Sequence, residues 1–237
     1  MKNIAPTTTL IAALLGTVLP QAAHAGRPLQ TEDAGVLDRA DCEVEGFTAR
    51  TSAFGVSVRE NALQLGCGVG ASTQMAVAVA RAKEEGVSAR ALELNGKTGL
   101  WQGAAAKDGE PPALALAYAF GWARVSGDKT RHAATELNLA YSRPLGADLT
   151  MHANLGHARD EIAKTRATTW GLAFEHAGVG AVAPMAELFG DDRDAPWWNL
   201  GLRVTALPEK LFIDASYGRQ MTSGRPTLWS AGFKAAF

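Results

Sequence analysis

The sequence predicts an all-β protein: a transmembrane antiparallel up-and-down β-barrel of about 12 strands, following a cleaved N-terminal signal peptide. Three observations predict it. Residues 227–237 place Trp229, Ala231, Phe233, Ala235 and Phe237 on one face and Ser230, Gly232 and Lys234 on the other. That period of two belongs to a strand. Upstream, the same alternation recurs in segment after segment, and the chain opens with an export signal. A soluble protein rarely leaves an aromatic edge unpaired at its terminus, because such an edge recruits other chains. A barrel in a membrane pairs its last strand with its first and turns the aromatic face to lipid.

Residues 1–25 read as the signal peptide. Lys2 supplies the positive end, 10–19 a short apolar core, and Ala23-His24-Ala25 the small-x-small cleavage pattern, so the mature chain is expected to start at Gly26. The apolar core is shorter than the ~20 residues a membrane helix needs. With no cysteine after the cut, a lipid-anchored start is not expected. Residues 26–41 mix charges of both signs without a period, and are expected to form a periplasmic lead-in. Its Glu32, Asp33 and Asp38 could hold a cation, although acidic residues in a polar tail are usually just solvated. Cys42 and Cys67 centre on residues 54–55, where the first hairpin should turn, so they can face each other and bridge; two buried free thiols are the alternative.

From Cys42 the barrel spans 42–237, with strands near 42–53, 61–70, 73–82, 88–98, 112–123, 134–143, 147–157, 168–177, 181–190, 196–206, 211–218 and 227–237. The fifth is the clearest: Leu114, Leu116, Tyr118, Phe120 and Trp122 alternate with alanine and glycine. The third (Met75, Val77, Val79) and the ninth are poorer, the ninth weakened by Pro184. An even count puts both termini on the periplasmic side. Turns on that side read short, while 126–132, 158–167, 191–195 and 219–226 on the other read longer and charged. Residues 102–111 break the rule and are where a miscounted strand would hide. Trp101, Trp122, Tyr141, Trp170, Trp197, Trp198, Tyr217 and Trp229 fall near strand ends, as interfacial girdles do.

The opposite face is polar: Glu43, Glu45, Gln64, Gln74, Glu93, Asn95, Glu136, Asn138, His152, Asn154, Glu175, Asn199, Arg203, Asp214, Ser216 and Lys234, spaced by small residues. With lipid outside, these must line the lumen, since a Lys or Arg on the lipid face costs ~2–4 kcal/mol at mid-depth. The expected function is passage of small solutes through that lumen; a structural or surface barrel without conductance is the alternative. A formal net charge of −1 offers no basic stripe for nucleic acid. No cofactor or metal is expected, because His152 and His157 fall on opposite strand faces. An enzyme is not expected, since no motif sets a serine beside His152 or His176, as a barrel hydrolase requires.

The closing strand, with Trp229, Phe233 and Phe237, resembles that of Gram-negative outer-membrane barrels, which implies an outer-membrane location and delivery to the barrel-assembly machinery. Residues 27–36 (RPLQTEDAGV), followed by Cys42-Glu43-Val44-Glu45, resemble the opening of proteobacterial outer-membrane barrels grouped as transporters of the phenol-degradation MetA-pathway type. The resemblance implies a porin-like barrel for small organic molecules, with no catalytic residues. Arg159, Lys164, Arg166, Asp191, Asp192, Arg193 and Asp194 fall in outer loops, where they are expected to meet lipopolysaccharide or its bridging cations; simple solvation is the alternative.

Overall fold

The computed structural model describes residues 27–104 and 111–237; the expected signal peptide and Gly26 lie outside the described residues. Twelve strands and no helix are found among them: β1 Cys42–Ala53, β2 Val56–Gly70, β3 Thr73–Glu84, β4 Val87–Gln102, β5 Ala113–Val125, β6 Arg131–Pro144, β7 Leu149–Asp160, β8 Thr165–His176, β9 Val182–Asp191, β10 Trp197–Leu207, β11 Leu211–Gln220 and β12 Thr227–Ala236. Each pairs with its sequence neighbours, and β1 pairs antiparallel with β12, closing the barrel. Phe233 sits opposite Gly46, and Phe237 exchanges backbone hydrogen bonds with Cys42 at the seam. The terminal aromatic strand therefore has no free edge.

Burial alternates as the residue types do. Leu63, Leu65, Val77, Val79, Leu92, Leu94, Leu139, Leu155, Leu172, Leu200 and Leu202 are exposed on the outside, while Gln64, Gln74, Glu93, Asn95, Asn199 and Asp214 are buried inside. An apolar exterior around a polar interior inverts a soluble core, and it is the arrangement a bilayer selects.

Two expectations about connections are corrected. Residues 158–160, 165–167 and 219–220, expected as loop, are ends of β7, β8 and β11. Continuing the ladder satisfies backbone groups that a loop would leave to water. Short connections consequently occur at both rims: 54–55 and 85–86 at one, 71–72 at the other. Positive φ at Phe54 and Gly55 (52° and 84°) gives the left-handed pair that a two-residue hairpin needs. Loop length therefore does not distinguish the rim near the termini from the opposite one.

Cys42 and Cys67 are disulfide-bonded across β1 and β2, with Cα atoms 4.1 Å apart. A cross-link of this loop length contributes about 3 kcal/mol in the chain-entropy account. The hairpin is already paired, so we expect Cys42→Ala/Cys67→Ala to lower unfolding stability by about 2 kcal/mol. Urea titration of the refolded barrel, followed by heat-modifiable gel migration, checks this.

Candidate functional site

Residues 27–41 occupy the bore. The sequence reads them as a lead-in to the barrel, and their place inside it has a simple physical reason. They carry backbone donors and charges, and the inner wall offers acceptors and counter-charges in matching positions. Arg27 places its guanidinium 2.9 Å from Asp214 and 4.4 Å above the Phe47 ring, while its carbonyl accepts from Arg203 Nε at 3.0 Å. Leu29 packs on Ala173 and Met185. The N–H groups of Gln30 and Thr31 and the Thr31 hydroxyl all donate to Glu187, at 2.8–2.9 Å.

Deeper in, Glu32 and Asn154 form a reciprocal pair: the Glu32 N–H donates to Oδ1 at 2.6 Å and Nδ2 donates to the Glu32 carbonyl at 2.8 Å. Lys97 Nζ donates to Glu32 Oε1 at 2.8 Å, to the Asp33 carbonyl at 3.1 Å and to Asp33 Oδ1 at 3.2 Å. Of the three acids that could have held a cation, Glu32 and Asp33 thus hold a lysine instead, and Asp38 is exposed. The N–H of Ala34 donates to Ser142 Oγ and that of Leu37 to Gln74 Oε1, each at 2.8 Å. The chain then reaches the rim, where Ala40 donates to the Gly68 carbonyl before β1 begins.

The wall is hollowed where this segment passes. A Cβ at Gly201 would lie 2.5 Å from Pro28 Cγ, and one at Gly171 would lie 2.6 Å from Thr31 Oγ1. Neither glycine has a positive φ, so close approach rather than backbone freedom explains them. Gly201→Val is expected to lift the segment from the wall without removing any charge. Hydrogen exchange at Gln30 and Thr31 should accelerate at least tenfold while the barrel stays folded.

Most sequence-selected lumen residues take part in this network or its margins. Glu43 and Glu45 pair with Lys234. Asn95 donates to Gln64 at 3.0 Å and to Glu93 at 2.9 Å. Asn138 donates to Asn154 at 3.0 Å, Asn199 to Glu187 at 2.8 Å and Arg203 to Glu175 at 2.8 Å. Glu136 borders the space beside Thr31. Sequence reasoning missed Glu60, Lys97, Ser142 and Glu187, although each continues the parity of a polar row already recognised or flanks one. Glu187 was hidden in the strand that Pro184 made look poor. Removing its charge and one of its two acceptor oxygens, by Glu187→Gln, is expected to weaken docking of 27–41 by about 1.5–3 kcal/mol, the range for hydrogen bonds to a charged group.

One constellation contradicts expectation. Ser142 lies opposite His152 across β6 and β7, and its Oγ is 2.8 Å from Nδ1. On the far side of the ring, Nε2 is 3.9 Å from Glu175. The row Ser142–His152–Glu175 escaped notice because only the hairpin register joins its first two members. Its geometry suits holding the segment more than attack. Ser142 Oγ already accepts the Ala34 N–H, and Glu175 is engaged by Arg203. A 3.9 Å separation is also too long for the hydrogen bond that orients a catalytic base.

Beside Gln30 and Thr31, bounded by Glu136, Asn138, Asn154, Thr169 and Phe189, there remains a cavity of about 40 Å³. That is room for water and too little for an organic solute.

Fold and bore together define a twelve-stranded β-barrel of the outer-membrane type, with a polar interior filled by its own N-terminal segment. The chain belongs to the family described as "Uncharacterised conserved protein UCP029691", which it matches over residues 13–237. No curated protein matches it. Among solved structures it is similar to the KdgM porin in complex with disordered oligogalacturonate, with TM-score 0.60 at 10% identity, covering 82% of this chain and 99% of that one. The NanC porin gives TM-score 0.59 at 9% identity over 81% and 98% of the two chains. The COG4313 outer membrane channel from Pseudomonas putida F1 gives TM-score 0.59 at 10% identity over 88% and 100%.

Proposed function

We propose that the protein passes small solutes across the outer membrane, and that residues 27–41 are the gate of its bore. The observation that carries this reading is how the segment is held. Its contacts are mainly polar latches onto a hydrophilic wall, with Leu29 as its buried apolar anchor. Polar latches exchange readily with water, so their release leaves a hydrated path rather than an exposed apolar core. The similarity to porins and to an outer membrane channel supports the same reading, as does the export signal read in residues 1–25.

The wall sets the solute class. Inward carboxylates at Glu43, Glu45, Glu60, Glu93, Glu136, Glu175, Glu187 and Asp214 outnumber Lys97, Arg203 and Lys234. An acidic bore disfavours anions such as an oligogalacturonate and favours neutral or cationic molecules. Small organic compounds fit the likeness of 27–36 to barrels of the MetA-pathway type. On this reading the closing strand engages the assembly machinery, and the rim opposite the termini meets lipopolysaccharide.

Planar-bilayer recording tests the proposal. The intact barrel should open rarely. Glu187→Gln/Asn154→Ala should open at least tenfold more often, with a reversal potential that reports cation preference. Silence of both proteins at every voltage would favour the structural-barrel reading. The Ser142–His152–Glu175 row gives a hydrolase reading its one supporting observation, and a serine-directed fluorophosphonate tests it; we expect no labelling of Ser142.

A further inference from the structure

Five consecutive strands carry an outward-facing cation where the apolar band ends at the rim opposite the termini: Arg50 on β1, Arg59 on β2, Arg81 and Lys83 on β3, Arg90 on β4 and Arg124 on β5. On β2 to β5 the cations follow lipid-facing apolar residues on the same strand face: Leu63 before Arg59, Val79 before Arg81, Leu92 before Arg90, and Phe120 and Trp122 before Arg124. Register places like charges side by side. Arg50 is opposite Arg59, Arg59 opposite Lys83, Arg81 opposite Arg90, and Arg90 opposite Arg124. Like charges directly opposite destabilise a sheet.

All six side chains are exposed, and among the described residues none of them is ion-paired. Arg50 makes one side-chain hydrogen bond, to Ser57 Oγ. Nearby acids are Glu84 at the end of β3, Glu85 in the β3–β4 turn and Asp128 in the β5–β6 turn, and among the described residues none of these forms an ion pair with the row either. The other side of the barrel is handled differently. There Arg159 and Arg166 are also opposite each other, but Glu161 pairs with Arg159 and Lys164 within the same hairpin. A carboxylate is engaged on that arc, and among the described residues none is along the row from Arg50 to Arg124.

The geometry points to this arc as a binding site for the phosphate groups of an anionic glycolipid in the leaflet at that rim. Guanidinium groups match phosphate oxygens in pairs. Their height, directly above lipid-facing Leu, Val, Phe and Trp, suits a ligand whose acyl chains lie against the band and whose phosphates sit at its edge. At a strand spacing of about 4.8 Å, five strands span roughly 19 Å, wide enough for more than one phosphate. The site rests on the membrane-barrel reading but not on conductance. It also supplies the orientation that loop length does not: the cationic rim belongs in the leaflet rich in phosphorylated glycolipid.

The test uses the refolded mature barrel in nanodiscs of neutral phosphatidylcholine, titrated with bis-phosphorylated lipid A and with the same lipid A after phosphate removal. Bound lipid is counted by native mass spectrometry. The phosphorylated form should bind at least tenfold more tightly. Arg59→Gln/Arg81→Gln/Arg90→Gln should abolish that preference, while Arg159→Gln/Arg166→Gln should keep it. These positions are exposed, so both variants should fold, which heat-modifiable migration verifies. Equal affinity for the two lipids would overturn the proposal, as would unchanged binding by the triple variant. Competition by millimolar inorganic pyrophosphate to completion would overturn the lipid assignment in favour of a plain anion site. Each of these outcomes is independent of whether the bore opens.

Discussion

Replacing Lys97 with methionine is expected to expel residues 27–41 from the bore while leaving the barrel intact. Among the described residues Lys97 is the one side chain that bonds both Glu32 and Asp33, and both Lys97 and Glu32 are buried. Removing one partner of a buried ion pair typically costs 3–5 kcal/mol, because the other charge is left without compensation. What remains to hold the segment is its polar contacts to Asp214, Glu187 and Asn154 and the buried side chain of Leu29. Local units of this kind open well before the global fold does. Hydrogen exchange should therefore show amide protection at Gln30, Thr31, Glu32, Ala34 and Leu37 falling by at least a hundredfold, with strand amides unchanged. Lys97→Arg keeps the charge and should retain most of the protection. Unchanged protection in Lys97→Met would mean that the Glu187 and Asn154 contacts hold the segment alone.

Leu94→Arg should destabilise the barrel by about 2–4 kcal/mol, the cost of a cation at the bilayer midplane. Leu94 lies near the middle of β4, on the outside, between Val77 of β3 and Phe120 of β5. The same strand face already carries Arg90, where the apolar band ends. Depth rather than residue type decides the outcome, and moving the test charge to Ser88 should cost less than about 1 kcal/mol. Reversible urea unfolding in phosphatidylcholine bilayers measures both.

The wall was legible in the sequence because membrane barrels obey one strong local rule. Lipid on one side and water or polar groups on the other force a period of two, so Leu92 and Leu94 against Glu93 and Asn95 announce both the strand and its two faces. Boundaries drifted where that rule lapses: beyond the apolar band, as at Arg159 or Arg219, strands continue without alternation. The contents of the bore were not legible. Residues 27–41 touch the wall through backbone N–H groups and single side chains, a mode that imposes no period, and their partners lie 28 to 187 positions away, as with Ala40 to Gly68 and Arg27 to Asp214. Ser142 beside His152 was hidden for a related reason, because their proximity exists only once the hairpin register is set.

Tethering the segment gives the most direct test of the gate. In a Cys42→Ser/Cys67→Ser background, Ala34→Cys and Ser142→Cys would place two thiols where the Ala34 N–H now meets Ser142 Oγ at 2.8 Å. Single-channel recording of this variant should show a silent barrel when the tether is oxidised and discrete, cation-preferring openings once it is reduced. Equal conductance in both states would contradict the account, because solutes would then be passing with residues 27–41 still in place.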